Sequence, residues 1–156
     1  MRGKKSWREK LADDKGLPKV ETITEKMSKR WSKGTVVIPA PRKVNELMRK
    51  APRGKLITIN EIRKTLACKH GATIGCPITT GIFAWMSAGA AAEDESEGKK
   101  RFTPYWRTLK TGGELNPKYP GGVEGQKVRI ESEGHTVITK GKRFFVSNYE
   151  KHLVDL

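Results

Sequence analysis

The sequence predicts a mainly α-helical domain that ends in a small β-hairpin. Three observations predict it: apolar residues recur at helical spacing between residues 41 and 70, an alanine-rich stretch follows Pro77, and two alternating stretches flank residues 140–142. The chain has 156 residues, which is the usual size of one domain. We therefore expect one main core over residues 35–156, preceded by a basic N-terminal arm over residues 1–34.

The N-terminal arm is rich in lysine, and Trp7, Leu11, Met27 and Trp31 lie too far apart in it to form a compact core. We expect an arm or a pair of short helices whose tryptophans pack on the main domain, with disorder at its extreme end. The segment over residues 35–41 is β-branched and then broken by two prolines, which predicts a short extended segment leading into the domain.

Two short helices are predicted next. Apolar residues at helical spacing between Pro41 and Pro52 indicate a first helix that ends before the second proline. Thr58 is a good N-cap, and Glu61 follows three residues later in a capping-box pattern. This pattern predicts a second helix that runs to about Lys69.

A third helix and a hairpin follow. After a predicted loop over residues 71–75, Pro77 suits the first turn of a helix that continues to about Glu93. Its run of small residues predicts one unusually flat side. Residues 135–139 and 143–147 alternate apolar and polar side chains and predict a hairpin with a basic tip. Three helices and a hairpin together describe a winged helix-turn-helix.

The charge of the chain is strongly positive. Lysine and arginine total 32 against 17 acidic residues, which gives a formal net charge of +15 and a pI near 10.0. The net charge is +11 over residues 1–55, −2 over residues 56–98 and +6 over residues 99–156. Polyanions are therefore the expected partners. The alternative is that the excess lysine only keeps the protein soluble.

Several other classes of function are not expected. No stretch approaches the roughly 20 apolar residues that span a bilayer, and the charged segment over residues 1–10 lacks the apolar run of a secretory signal. Cys68 and Cys76, with His70 between them, are too few ligands at the wrong spacing for structural zinc. We expect reduced thiols, no metal, no cofactor and no membrane attachment, and a cytoplasmic, nucleoid-associated location if the chain binds DNA.

Three motifs, taken in their order and spacing, resemble a known family. Residues 52–58, Pro-Arg-Gly-Lys-Leu-Ile-Thr, lead with Glu61-Ile62 into the second helix, and residues 81–86 occupy the third. Residues 121–127, Gly-Gly-Val-Glu-Gly-Gln-Lys, precede Glu131-Ser-Glu-Gly134. Over about residues 36–148 this arrangement resembles the C-terminal DNA-binding domain of alkylguanine-DNA alkyltransferases (methylated-DNA-protein-cysteine methyltransferases) and the alkyltransferase-like proteins.

The catalytic motif of that family is altered here. The resemblance implies a Pro-Cys-His-Arg motif, whose thiolate removes the alkyl group from a flipped guanine, and a glutamate that orients the histidine. The matching residues are Pro104-Tyr-Trp-Arg107, so Tyr105 replaces the nucleophile, Trp106 replaces the histidine and Glu133 remains. A phenol with a pKa near 10 cannot replace a thiolate at neutral pH. The expected function is therefore DNA binding without catalysis.

Two further departures bear on base flipping. The family's tyrosine that rotates the nucleotide aligns with Ile59, and its arginine finger aligns with Thr80. Alkyltransferase-like proteins also lack the cysteine but generally keep those two residues. The insertion over residues 93–102 adds a third difference, so this chain departs from the family further than they do.

Candidate DNA contacts lie on the second and third helices and on the hairpin, with Arg143 beside its tip. Short side chains at the start of the third helix would let a groove approach its backbone, and the absence of arginine or asparagine there predicts little base-specific readout. The predicted contacts are Thr58, Asn60, Arg63, Lys64, Thr79, Thr80, Gly81, Arg107, Lys140 and Lys142. The predicted residual alkyl-base pocket consists of Tyr105, Trp106, Tyr119 and Glu133, unless these aromatic side chains fill the vacated space as core.

Three hypotheses follow. The first is a non-catalytic protein that binds double-stranded DNA, either as a damage sensor that recruits a repair protein or as a chromatin-type binder. The second is a divergent alkyltransferase that uses Cys76 or Cys68 as its nucleophile. The third is a basic module that binds RNA, because a lysine-rich arm does not itself distinguish nucleic acids.

Overall fold

The computed structural model describes residues 5–14 and 16–156, and the disorder predicted for the extreme N-terminus falls on residues 1–4, outside them. The helices are α1 (Trp7–Ala12), α2 (Glu25–Trp31), α3 (Pro41–Met48), α4 (Ile59–His70), α5 (Pro77–Ser96) and α6 (Gly122–Ser132). The strands are β1 (Lys19–Thr22), β2 (Thr35–Ile38), β3 (Ile57–Thr58), β4 (Ile74–Gly75), β5 (Thr108–Leu109), β6 (Val137–Lys140) and β7 (Arg143–Val146). The prediction of a mainly helical fold with a small hairpin is confirmed.

The two central helices begin where their capping residues predict. Thr58 Oγ1 accepts a hydrogen bond from Glu61 N at 3.4 Å and caps α4, and Gly71 ends that helix in the left-handed region with φ of 64°. Cys76 caps α5, with Pro77 in the first turn. The helix α5 passes its predicted end at Glu93 and continues through Ser96.

Part of the sheet structure was not predicted. Strand β2 pairs antiparallel with β1 and parallel with β4, which makes a three-stranded sheet. The predicted loop over residues 71–75 thus contains β4, because two residues are too short to show a strand period. Strand β1 comes from the N-terminal arm, and the division of the chain at residue 34 stays a prediction.

Helix α1 packs across the C-terminal half of α5. The Trp7 and Trp85 rings meet edge-on, with 4.7 Å between their centroids. The Glu93 carboxylate accepts the backbone N–H groups of Trp7 at 3.1 Å and Arg8 at 2.9 Å, so a side chain of α5 satisfies the free amides at the start of α1. The N-terminal arm therefore covers the C-terminal half of α5, while one side of the N-terminal half, with Ile78 and Ile82, stays exposed.

The core has two main parts. The larger is formed by α3, α4 and α5, with Met48, Ile62 and Phe83 among its buried side chains. The smaller lies under the β6–β7 hairpin, where Leu115 and Ile130 are buried together. Among the described residues, no helix is both long and apolar enough to cross a membrane.

Helix α6 connects the two parts and was not predicted as a helix. The Gln126 side chain is fully buried; its Oε1 accepts Asn116 N at 2.8 Å and its Nε2 donates to Trp106 O at 3.0 Å. Two of the first four residues of α6 are glycine, which has low helix propensity, so tertiary contacts rather than local preference stabilise this helix.

Candidate nucleic-acid interface

The open half of α5 presents an apolar stripe to solvent. Ile78, Ile82 and Trp85 follow one another at helical spacing and are 57%, 44% and 38% exposed. Most of the small residues of this helix face inward, and Ala84 and Ala88 are fully buried. Small side chains let neighbouring helices approach α5 closely, and the bulky ones remain outside.

A groove runs beside this stripe, and we call it the α5 groove. It has a volume of about 780 Å³ and lies between α5, the start of α4, residues 110–118 and the start of β7. Its basic side chains are Lys110, Lys118 and Arg143.

One carboxylate in the α5 groove holds one of these cations in place. Arg143 donates from Nη2 to Glu114 Oε1 at 2.7 Å and from Nε to Oε2 at 3.0 Å, and Lys110 Nζ lies 3.8 Å from Glu114 Oε1. The hydrogen bond from Arg143 holds the pKa of Glu114 below its usual value, so this carboxyl stays ionised at neutral pH. Three cations against one carboxylate leave the α5 groove positively charged.

Three predicted DNA contacts are directed inward. Thr58 is buried and caps α4, and Thr80 is fully buried. Arg107 donates to the Glu133 carboxylate and, from Nη1, to Ala51 O at 2.8 Å. These three side chains make contacts inside the protein and are therefore not part of the candidate interface.

The predicted contacts on α4 form a shallow surface beside β4. Arg63 donates from Nε to Gly75 O at 2.8 Å and from Nη1 to Asn60 Oδ1 at 3.2 Å, while Lys64 is exposed. The same Asn60 Oδ1 accepts the Thr111 hydroxyl at 3.2 Å. Arg63 and Asn60 therefore tie neighbouring segments together, and Lys64 is the member whose charge faces solvent.

The remaining predicted contacts are divided. Gly81 lines the α5 groove. Thr79 is half-buried, and its N–H donates to Cys76 Sγ at 3.5 Å. Lys140 and Lys142 are exposed at the tip of the hairpin and do not line the groove.

Part of the α5 groove was not predicted from the sequence. Ile78, Ile82 and Trp85 recur at helical spacing in the sequence. Because the other residues of this helix are small and mostly apolar, the sequence does not indicate which side faces outward. Lys110 and Lys118 lie in an irregular segment, where no periodicity marks a shared surface.

The two tyrosines of the predicted residual pocket pack as core. Tyr105 and Tyr119 are both buried and their rings meet edge-on at 5.6 Å, while Tyr105 meets Trp106 in the same way at 5.4 Å. Burial raises the pKa of Tyr105 and of Tyr119 above the usual value for a phenol. None of these residues lines the α5 groove, and both phenols stay protonated at neutral pH.

The two cysteines occupy different environments. Cys76 is buried at the start of α5 and packs with Ile23 and Val36, whereas Cys68 is exposed on α4. Within residues 5–14 and 16–156, no group of three or more histidine, cysteine or acidic side chains is placed to hold a metal ion.

Comparison with known proteins gives matches in fold. No family model and no curated protein matches the sequence. One matching structure is S. pombe Atl1 in complex with damaged DNA containing O6-carboxymethylguanine, with a TM-score of 0.51 and 19% identity. Another is S. pombe ATL in complex with DNA, with a TM-score of 0.53 and 20% identity; each match covers 74% of this chain and 94% of the other. The protein therefore has the fold of the alkyltransferase-like proteins, as the motifs of its sequence predicted.

Proposed function

We propose that this protein binds double-stranded DNA without catalysis, with the duplex held against the α5 groove. The observation that carries the proposal is the position of three cations, Lys110, Lys118 and Arg143, around the exposed half of α5. The two matching structures are both complexes with DNA, which supports the same class of partner here.

The groove suits contacts to the DNA backbone more than to base edges. Lysine and arginine side chains around it would neutralise phosphates and release counterions, while α4 and α5 together act as a helix-turn-helix. Lys64, Lys140 and Lys142 extend the positive surface on either side. In the stripe of Ile78, Ile82 and Trp85, the indole N–H is the single side-chain group that could hydrogen-bond to a base. We therefore expect weak sequence preference.

The absence of catalysis is part of the same proposal. Tyr105 is buried and protonated, and Trp106 cannot serve as a base because an indole N–H only donates. The buried rings of Tyr105 and Tyr119 fill the space beside the altered motif, so we expect plain and alkylated duplexes to bind alike. We further propose that the bound protein recruits a repair protein to the DNA. We expect it to be cytoplasmic and associated with the nucleoid.

The test is a salt titration with a short duplex. Replacing Lys110 and Lys118 together by alanine should lower the slope of log affinity against log salt by about 2, because each lysine accounts for about one phosphate contact. The matched control replaces Lys26 and Lys29, two exposed lysines of α2 that lie outside the groove. Equal slopes for the two double variants, or no duplex binding by the parent protein at low salt, would overturn the proposal.

RNA is the alternative partner. The groove cations alone do not separate the two nucleic acids, so a competition between duplex DNA and duplex RNA of the same sequence decides between them. Displacement of bound DNA by RNA at lower concentration than by unlabelled DNA would favour RNA.

Alkyl transfer to a cysteine is the alternative activity. Intact-mass measurement after incubation with DNA that contains O6-methylguanine should return the unmodified mass of the chain. A stoichiometric gain of one methyl group on Cys68 or Cys76 would contradict the non-catalytic proposal.

A further inference from the structure

A second basic cleft lies where the end of α3 meets residues 100–107. It has a volume of about 430 Å³ and shares no lining residue with the α5 groove. We call it the Arg49 cleft. Its side chains of interest are Arg49, Lys100, Arg101, Phe102, Trp106 and Arg107, and none of the described residues that line it is acidic.

Two of these cations lie in the insertion that separates the chain from the family it resembles. Lys100 and Arg101 are exposed, and neither makes a hydrogen bond or ion pair with any part of the chain that the structure describes. The acidic residues at the end of α5 do not neutralise them: Asp94 pairs with Arg8 and with Lys99. The charges of Lys100 and Arg101 are therefore available to a ligand.

Arg49 is held in position by neutral partners. Its Nε donates to Thr103 Oγ1 at 3.0 Å, and the buried Thr103 in turn donates from Oγ1 to Asn45 Oδ1 at 2.7 Å. This chain of hydrogen bonds orders the guanidinium without neutralising it. Arg107, by contrast, is paired with Glu133 at 2.8 Å, so the uncompensated charge of the cleft comes from the other three cations.

Two aromatic rings complete the Arg49 cleft. Phe102 and Trp106 are half-buried and meet edge-on at 6.1 Å. Trp106 Nε1 donates to Glu133, and the guanidinium of Arg129 lies 4.6 Å from the centroid of the indole ring, so Trp106 is held in place where it lines the cleft. Cations beside fixed aromatic rings are the combination that binds a phosphate and its base together.

We propose that the Arg49 cleft binds a nucleotide unit of a single-stranded nucleic acid. The phosphate contacts Arg49, Lys100 and Arg101, and the base packs against Phe102 and Trp106. The volume lies in the range of small-ligand sites, and the lack of acidic lining residues favours an anion. The net charge of +15 draws the same class of partner to the protein. This site is independent of the duplex groove, so the protein would hold a duplex and a single strand on separate surfaces.

The experiment measures binding of a fluorescent oligothymidylate to the full chain. Replacing Lys100 and Arg101 together by glutamate should weaken this binding at least about tenfold, whereas the same change at Lys26 and Lys29 should have less than about a third of that effect. Phe102→Leu keeps an apolar side chain but removes the ring, and should weaken binding about fivefold or more. Ultraviolet crosslinking followed by peptide mapping should place the oligonucleotide on residues 100–107.

Measuring duplex binding by the same variants distinguishes this proposal from the proposed duplex-binding function. The change at Lys100 and Arg101 should leave the binding of a blunt duplex within about threefold of the parent value, while the Lys110 and Lys118 variant shows the reverse pattern. The nucleotide proposal would be overturned if oligothymidylate binding weakened equally in the Lys100/Arg101 variant and in the Lys26/Lys29 variant. Crosslinks confined to residues outside 100–107, or binding of a polyglutamate peptide in preference to the oligonucleotide, would also overturn it.

Discussion

Trp106 Nε1 donates a hydrogen bond to Glu133 Oε2 at 2.9 Å, at the two positions where the family it resembles has a histidine and a glutamate. Arg107 adds hydrogen bonds to both oxygens of the same carboxylate, between 2.8 and 3.1 Å. The Gly54 N–H also points to Glu133 Oε1, at 3.4 Å. The contacts around Glu133 thus join the segment of Trp106 to the end of α6 and to the turn before β3, so Glu133 has a structural role.

Glu133 should contribute strongly to stability. Its side chain is 4% exposed, and Glu133→Gln would leave the guanidinium of Arg107 poorly compensated. We expect the free energy of unfolding to fall by about 3 kcal/mol, because breaking a buried ion pair leaves the partner charge unsatisfied. The control Glu131→Gln changes an exposed carboxylate two residues away and should cost less than about 0.5 kcal/mol. Urea unfolding of the two variants measures the difference; similar midpoints would contradict the expected role.

Stability should decrease in acid below the normal carboxyl range. Burial alone would raise the pKa of Glu133, but the hydrogen bonds from Arg107 and Trp106 outweigh it and hold the pKa below its usual value. The pKa of Glu114 is lowered by its hydrogen bond with Arg143. A lowered folded pKa means that the contribution is complete above the unfolded value, near 4.5, and is lost as the pH falls through the folded value.

Thermal unfolding between pH 7 and pH 2 tests this assignment. The melting temperature of the parent should fall more steeply below about pH 4.5 than that of Glu133→Gln, since the variant has no proton to take up at this position. Parallel curves for the two proteins would remove Glu133 from the explanation.

Two glycines of α5 offer a matched pair of alanine substitutions. A Cβ at Gly89 would lie 2.5 Å from the Trp7 ring, whereas a Cβ at Gly81 would meet nothing within 4 Å. Gly81→Ala should stabilise the protein by about 0.5–1 kcal/mol through helix propensity. Gly89→Ala should instead destabilise it by about 1–3 kcal/mol, because α1 must move away from α5. Calorimetry of both variants checks the opposite signs, and a gain in stability at both positions would show that α1 does not pack there.

The apolar stripe of α5 should contribute to duplex binding. Ile82→Glu places a carboxylate in the α5 groove, and we expect at least about a tenfold loss of affinity through repulsion of phosphates. Val128→Glu is the control, because Val128 is exposed on α6 outside the groove. Both variants should keep the parent melting temperature within a few degrees. If Ile82→Glu binds the duplex as tightly as Val128→Glu does, the duplex does not bind at the α5 groove.

The buried Tyr105 should behave as a core residue. Tyr105→Ala removes a ring that packs against Trp106 and Tyr119, and should cost about 3–5 kcal/mol in the free energy of unfolding. Tyr105→Phe keeps the ring and should cost less than about 1.5 kcal/mol. Chemical unfolding of the two variants measures both values; a small loss for the alanine variant would mean that the ring does not fill the space.

The local signals of the sequence predicted helices better than strands. The cap at Thr58 and the proline at position 77 predicted the starts of α4 and α5, because capping and proline geometry act within a few residues. Strand β4 and helix α6 escaped prediction for a common reason. Two residues show no periodicity, and glycines weaken a helical signal, so both elements depend on partners distant in the sequence.

The composition and motifs of this chain predicted the helical fold with its hairpin, which the structure confirms, and fixed the strong positive charge for which a polyanion partner is expected. The replacement of a cysteine and a histidine by Tyr105 and Trp106 stays what the resemblance implies. These properties belong to single residues and short spacings, and they are read without knowing which residues meet. Only the tertiary structure decided which side of α5 faces solvent and that Thr80 and Arg107 turn inward. It also decided which cations remain uncompensated. Burial and ion pairing are relations between distant parts of the chain, and the periodicity of one helix does not specify which of two apolar sides its neighbours will cover.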